Sequence, residues 1–104
     1  MMREKRRYIT VESGYAVTEQ EREEFATALR ISLMRCIGES NFHRANPRIL
    51  EFLSDKTFIM RTSLAGCGQV IAALALVKKV GGRDAYFYTL GASGTIRALK
   101  KKRI

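Results

Sequence analysis

The chain has 104 residues, of which 46% are hydrophobic, and 19 Lys and Arg residues against 10 Asp and Glu residues give a net charge of +9. This length suits one domain with a modest core, and the hydrophobic content excludes a disordered chain. The longest apolar run, over 70–77, is far shorter than the roughly 18 residues of a transmembrane helix. No signal peptide follows the charged N-terminus, so we expect a cytoplasmic protein whose Cys36 and Cys67 are reduced and buried.

The excess positive charge is concentrated at the two ends of the chain. Residues 1–7 contain four basic and one acidic side chain, and residues 97–104 contain five basic side chains and no acidic one. The rest of the chain is nearly neutral. This distribution is typical of a protein that binds a polyanion. The C-terminal segment has few large apolar residues, which favours a nucleic acid over a membrane surface.

The first half of the chain predicts a strand followed by a long helix. Alternating residues over 5–12 indicate the strand. The helix begins at Thr18, where Glu21 three residues on completes a capping box, and apolar residues at helical spacing continue until Gly38. We expect a loop over 39–46.

The second half of the chain predicts a hairpin, a helix and a last strand. Residues 48–53 and 57–64 indicate two strands joined by a tight turn, and a short helix over 47–53 is the competing interpretation. An apolar helix over 68–80 ends at a glycine pair. Alternating residues over 84–91 indicate the last strand.

The order strand, helix, strand, strand, helix, strand predicts an α+β fold with one domain over residues 1–104. It is the plan of a ferredoxin-like or RRM-like sandwich, in which a four-stranded antiparallel sheet carries helices on one face. The other face is left open or meets a partner. The second predicted helix is apolar around most of its circumference, and a partner protein that covers its outer surface would explain this.

The chain shows no pattern typical of a catalytic or metal site. The segment GCGQVI over 66–71 lacks the third glycine and the later acidic residue of a dinucleotide-binding motif. Cys36, Cys67 and His43 lack the spacing of metal ligands. Ser93 stands in a GASGT frame, which is not that of a nucleophile elbow. We therefore expect no catalytic residue, no metal site and no cofactor bound by the protein.

Three tyrosines on predicted strands are candidates for stacking on bases. Tyr8, Tyr86 and Tyr88 could act as the aromatic residues of an RRM sheet do. The sequence TFIMRTS over 57–63 lacks the basic-glycine-aromatic opening of the corresponding RRM motif. Core or interface packing of these rings is therefore the favoured interpretation.

The candidate nucleic-acid contacts lie at the two basic ends and in the turn before the last helical segment. The GASGT turn over 91–95 presents backbone N–H groups at a helix start, which suits a phosphate. Basic side chains on either side add affinity and positioning without sequence readout. The candidate residues are Arg3, Lys5, Arg6, Arg7, Ser93, Gly94, Thr95, Arg97, Lys100, Lys101, Lys102 and Arg103.

Three segments together carry a family resemblance: LGASGTIRAL over 90–99, AALALVKKVGG over 72–82 and ANPRILEF over 45–52. The chain resembles the ribonuclease P protein component 2 family, the small ferredoxin-like protein subunits of archaeal ribonuclease P, and its eukaryotic counterparts. The resemblance implies an accessory subunit that binds the catalytic RNA and assists magnesium-dependent removal of the 5′ leader from precursor tRNA. One departure lies at 68–71, where the family tends to carry basic residues.

The resemblance also implies the partners and the source of the chemistry. The RNA carries the reaction and requires Mg²⁺, and the protein supplies no catalytic residue. The implied partners are ribonuclease P RNA, a TIM-barrel-like protein subunit and other ribonuclease P proteins, with precursor tRNA nearby. The alternative function is a stand-alone RNA-binding or ribosome-associated domain. An acylphosphatase-like hydrolase is disfavoured because the loop SGYAV over 13–17 has no Arg.

Overall fold

The structure is a computed structural model that describes residues 5–101. Within this range the helices and strands follow one another without long connections. The elements are β1 (Arg6–Ser13), α1 (Arg22–Ile37), α2 (Glu39–Ala45), β2 (Arg48–Phe52), β3 (Thr57–Ser63), α3 (Cys67–Leu76), β4 (Lys79–Val80), β5 (Arg83–Asp84), β6 (Phe87–Ser93) and α4 (Ile96–Lys101). None of the helices in this range is long and apolar enough to cross a membrane.

The main sheet has the strand order β2-β3-β1-β6, with antiparallel pairing between all neighbours. α1 connects β1 to β2 with β3 inserted between them, and α3 connects β3 to β6 with β1 inserted between them. These are the two split βαβ units of a ferredoxin-like fold. The predicted fold class is confirmed, and so is the hairpin of β2 and β3 over the competing short helix.

The core lies between one face of the sheet and the helices α1, α2 and α3. Alternate strand residues point into it, because side chains along a strand alternate between faces. The ring of Phe25 on α1 lies in its centre, with centroids 5.8 Å from Phe58 and 6.1 Å from Phe52 and Phe87. Buried aromatic pairs at these distances contribute about 0.5–1.5 kcal/mol each beyond their buried area.

The first helix starts at the predicted capping box. The Thr18 backbone N–H and the Thr18 hydroxyl both donate hydrogen bonds to Oε2 of Glu21, each at 3.0 Å. The first turn, over Glu19–Glu21, is a 3₁₀ turn, and α1 continues from Arg22. The capping box at Thr18 and Glu21 therefore predicted the start of the helical segment correctly.

The predicted loop over 39–46 is wrong, because most of it forms α2. Gly38, with φ of +87°, separates α2 from α1, and Asn46 in the left-handed conformation ends it. Phe42 and Ala45 are three residues apart, so they lie on one side of the helix and are buried together. Burial of this pair outweighs the weak helix propensity of the polar residues.

The predicted helix over 68–80 is wrong in its last turn. α3 ends at Leu76, and β4 and β5 form a small hairpin around Gly81 and Gly82. These glycines have φ of +59° and +79°, which is the requirement of a two-residue type I′ turn. The last strand accordingly begins later than predicted, at Phe87.

The prediction that both cysteines are buried is wrong. Both are free, but Cys36 is exposed, because Leu33 and Ile37 occupy the core-facing side of the last turn of α1, and Cys67 is only partly buried. On α3, Leu76 is 68% exposed. The predicted covering of the outer side of this helix by a partner stays a prediction.

α4 lies on the face of the sheet opposite α1 and α3. Thr10 of β1 and Ile59 of β3 point away from the main core, yet they are 1% and 0% exposed. Leu99 of α4 is also buried and lies against Gly91, which is opposite Thr10 in register. The sequence predicted that this face is open or meets a partner, whereas α4 of the same chain covers its middle.

Candidate nucleic-acid interface

The basic start of β1 and the turn after β6 lie at the same corner of the sheet. Tyr8 is directly opposite Ser93 in the β1–β6 register. The Arg7 guanidinium lies against Gly94, since a β-carbon built there would be 3.3 Å from Nη1. Lys5 and Arg6, both exposed, precede Arg7. The structure therefore brings these predicted basic residues together with the predicted turn.

The hydroxyl groups of the turn are used to start α4. The Ala98 backbone N–H donates to Oγ1 of Thr95 at 3.1 Å, which is the hydrogen bond of a helix N-cap. The Thr95 backbone N–H in turn lies 3.4 Å from Oγ of Ser93. The role of this turn in phosphate binding stays a prediction.

The basic side chains of α4 differ in their surroundings. Nζ of Lys100 lies 3.0 Å from Oε1 of Glu51 on β2. This lysine therefore attaches α4 to the edge strand that lies farthest from β6. Arg97 and Lys101 are exposed and form no ion pair with any residue of the described range 5–101. No carboxylate within residues 5–101 therefore competes with an external anion for these two side chains.

Three predicted contact residues lie outside the described residues. These are Arg3 near the N-terminus and Lys102 and Arg103 near the C-terminus. Their assignment as candidate contacts stays a prediction.

Two arginines that the sequence reasoning missed lie on the same face of the sheet as α4. In register, Arg48 of β2 is opposite Arg61 of β3, Arg61 is opposite Tyr8 of β1, and Tyr8 is opposite Ser93 of β6. Directly opposed residues have their side chains on the same face. We call Arg48, Arg61, Tyr8 and Ser93 the cross-strand row. Arg6 is two residues before Tyr8 on β1 and therefore lies on the same face.

The cross-strand row is rich in positive charge. Arg48 is exposed, and Arg61 and Tyr8 are half-buried. Neither Arg48 nor Arg61 forms an ion pair with a carboxylate of residues 5–101. Glu51, which is the acidic residue of β2 on this face, is paired with Lys100.

Arg30 adds to the positive charge near β2. Its Nη1 donates to the backbone carbonyl of Pro47 at 3.2 Å, and its guanidinium lies 5.1 Å from the centroid of the Phe42 ring. Burial lowers the pKa of Arg30, and the nearby charge of Arg48 lowers that pKa further. Arginine stays protonated all the same, so both guanidiniums remain cationic.

The sequence predicts on which face of the sheet Arg61 lies, but it does not predict that Arg61 pairs with Arg48. Arg61 sits between the buried residues Met60 and Thr62, so alternation places it on the other face. Its pairing with Arg48 depends on an irregularity in β2 between Ile49 and Glu51. Nothing in the residue pattern predicts that shift, and a one-residue shift moves side chains to the other face.

The favoured interpretation of the tyrosines is wrong where it requires core packing. Tyr86 and Tyr88 are 55% and 57% exposed, and their ring centroids lie 5.5 Å apart in an edge-on arrangement. The Tyr86 ring packs closely on Gly14, where any β-carbon would collide with it. These two rings lie near the start of β6, whereas Ser93 lies at its end. Tyr8, in contrast, belongs to the cross-strand row.

The described part of the chain offers no converging set of metal ligands, since no three His, Cys, Asp or Glu side chains cluster between residues 5 and 101. The guanidinium groups and the tyrosine of the cross-strand row have side-chain chemistry that suits nucleic-acid binding. Guanidinium groups grip phosphates with two hydrogen bonds, and an aromatic ring stacks on a base.

The comparisons with known proteins agree on one family. The family model described as Rpp14/Pop5 family matches residues 7–104. The chain is 32% identical to ribonuclease P protein component 2 of Pyrococcus furiosus, over 97% of this chain and 84% of that protein. It is 33% identical to the protein of the same name from Methanocorpusculum labreanum, over 99% of this chain and 69% of that protein.

A solved structure shares the fold. A chain in the cryo-EM structure of yeast ribonuclease MRP superposes with a TM-score of 0.60, over 99% of this chain and 91% of that chain. The two sequences are 13% identical. At this identity the similarity shows the α+β fold alone.

Proposed function

The chain belongs to the Rpp14/Pop5 family, and on that premise we propose that it is a protein subunit of archaeal ribonuclease P. In this role it binds the catalytic RNA and assists removal of the 5′ leader from precursor tRNA. The observation that carries the proposal is the similarity of nearly the whole chain to archaeal proteins named ribonuclease P protein component 2. The basic corner of the sheet supports RNA binding.

The contribution of the protein to catalysis is electrostatic and structural. Its basic side chains neutralise phosphates where RNA helices come together, so the RNA folds at a lower Mg²⁺ concentration. We assign the chemistry and the catalytic Mg²⁺ to the RNA, as the resemblance to ribonuclease P protein component 2 implies. The phosphate contacts supply positioning and affinity, not sequence readout.

The proposal includes the protein partners and the compartment. Family membership supports assembly with a TIM-barrel-like protein subunit and with other ribonuclease P proteins, in the cytoplasm. Precursor tRNA lies near the subunit in such an assembly. The exposed Leu76 and the neighbouring exposed alanines of α3 offer an apolar surface for a protein partner.

Selectivity for RNA tests the proposal against the alternative of a stand-alone RNA-binding domain. Binding of the full chain to archaeal ribonuclease P RNA and to a ribosomal RNA fragment of equal length is measured by filter binding at the same salt concentration. We expect tighter binding to ribonuclease P RNA. Equal affinity for both RNAs would contradict the proposal and favour the stand-alone domain.

A further inference from the structure

The cross-strand row has an arrangement that costs folding stability. Arg48 and Arg61 are directly opposite each other on neighbouring strands. Like charges in this position repel each other and destabilise the pair of strands. No carboxylate of residues 5–101 forms an ion pair with either side chain. An anion that binds between the two guanidiniums would relieve this repulsion.

An aromatic ring continues the row on the next strand. Tyr8 is directly opposite Arg61 and is half-buried, so the residue stays partly accessible to a ligand. Neighbouring strands lie roughly 4.8 Å apart, so the two arginines and the ring follow one another at short, even steps. Ser93 ends the row at the turn that precedes α4.

We propose that the cross-strand row binds an unpaired stretch of RNA, with one base stacked on Tyr8 and the adjacent phosphates bound by Arg61 and Arg48. This inference rests on the proposed function and deepens it, because it names the class of RNA structure that this surface recognises. Arg6 lies on the same face of β1 as Tyr8, and α4, which packs on this face, carries the exposed side chains of Arg97 and Lys101.

The shape of the face favours an unpaired strand over a duplex. α4 covers the row next to the cross-strand row, where Thr10 and Ile59 are almost fully buried. The accessible strip is therefore narrow and has a helix along one side. A duplex keeps its bases stacked inside and presents a broad groove, whereas an unpaired strand offers base faces to an aromatic ring.

Binding of a short labelled RNA tests the inference. Fluorescence anisotropy compares an unpaired RNA of about ten nucleotides with a hairpin duplex of similar length. The variants are Tyr8→Leu, Tyr8→Phe and the double variant Arg48→Gln with Arg61→Gln. The matched controls are Arg35→Gln, which removes one exposed charge from α1 on the other face of the sheet, and Tyr88→Leu at the other end of β6.

The expected result separates stacking from charge. Tyr8→Leu weakens binding of the unpaired RNA about tenfold or more, and Tyr8→Phe does not, because only the ring is needed for stacking. The double arginine variant flattens the log–log dependence of affinity on salt by about 1.4, or about 0.7 per lost phosphate contact on a single strand. The two controls bind as the wild type does.

The stability of the double arginine variant provides a second readout. Removal of two facing charges is expected to raise the Tm by about 2–4 °C while binding weakens. A variant that binds weakly because it is misfolded would show a lower Tm instead, which would count against the proposal.

Other outcomes overturn the inference without touching the proposed function. Two results would exclude this surface as the single-strand site. One is that the variants of the cross-strand row bind unpaired RNA with the same affinity as the Arg35→Gln control. The other is that the protein binds the hairpin duplex more tightly than the unpaired RNA. Binding of full ribonuclease P RNA by the same variants is measured in parallel. If that binding persists unchanged, the subunit role stands and the row is not its RNA contact.

Discussion

At the residue scale, the carboxylate of Glu21 shows how one side chain fixes the start of a helix. Hydrogen bonds from Thr18 lower the pKa of Glu21, with a smaller contribution from the charge of Arg83. The ionised form is therefore favoured in the folded state. Its contribution to stability is present above the ordinary pKa of 4.5 and is lost as the pH falls through the lower folded pKa.

A substitution of Glu21 tests this linkage. We expect Glu21→Gln to lower the Tm at pH 7, because the hydrogen bonds to a charged acceptor are weakened. The difference from the wild type should shrink as the pH falls from 5 to below the folded pKa, where the wild type loses the same charge. Glu23→Gln, an equal charge change on an exposed neighbour, is the control. A difference in Tm that is constant with pH would contradict the account.

At the element scale, the hairpin of β4 and β5 shows how a turn overrides a helical pattern. The apolar spacing of α3 continues through Val77 and Val80, but the chain turns at Gly81 and Gly82, which adopt left-handed backbone angles. A residue with a β-carbon is strained there. The glycine pair therefore acts as a hairpin turn and not as a simple helix end.

Replacement of glycines separates the turn from the helix. We expect Gly82→Ala to reduce the free energy of unfolding by about 1 kcal/mol, because alanine is strained at its φ of +79°. Gly68→Ala is the matched control. Gly68 lies in α3 with open space around it, so alanine there should leave stability unchanged or raise it by up to about 1 kcal/mol. Urea denaturation measures both, and equal effects would contradict the assigned turn.

The same elements show what could be predicted from the sequence. The capping signature at Thr18 and the strand alternation of β1 are local, so they and the order of main elements were predictable. α2 was missed because its helix is stabilised by burial of Phe42 and Ala45 in a core that only the full fold creates. The cross-strand row was missed because it depends on register between strands, and register depends on an irregularity in β2.

At the scale of the whole molecule, the fold gathers charges that are far apart in the chain. The start of β1, the hairpin arginines and the exposed side chains of α4 lie on or beside one face of the sheet. Lys100 forms an ion pair with Glu51 and so attaches α4 to β2. Arg97 and Lys101 form no ion pair with a carboxylate of residues 5–101. We therefore predict different roles for the basic residues of α4: Lys100 holds the helix on the sheet, and Arg97 and Lys101 contact RNA.

The salt dependence of RNA binding tests this division. We expect the double variant Arg97→Gln with Lys101→Gln to flatten the log–log slope of affinity against salt by about 1.4–1.8, because two phosphate contacts are lost. Lys100→Gln should change that slope by less than one contact's worth and should loosen α4, seen as faster hydrogen exchange over 96–101. A flattening by Lys100→Gln as large as that of the double variant would contradict the division.

The central claim is that this chain is a working subunit of ribonuclease P. The most direct test is 5′ maturation of precursor tRNA by archaeal ribonuclease P RNA, with the expected partner subunit, over a range of limiting Mg²⁺ concentrations. We expect faster cleavage and a lower Mg²⁺ requirement when this protein is added, and no such effect from a basic peptide of equal net charge. Cleavage at the same rate with and without the protein, at every Mg²⁺ concentration, would contradict it.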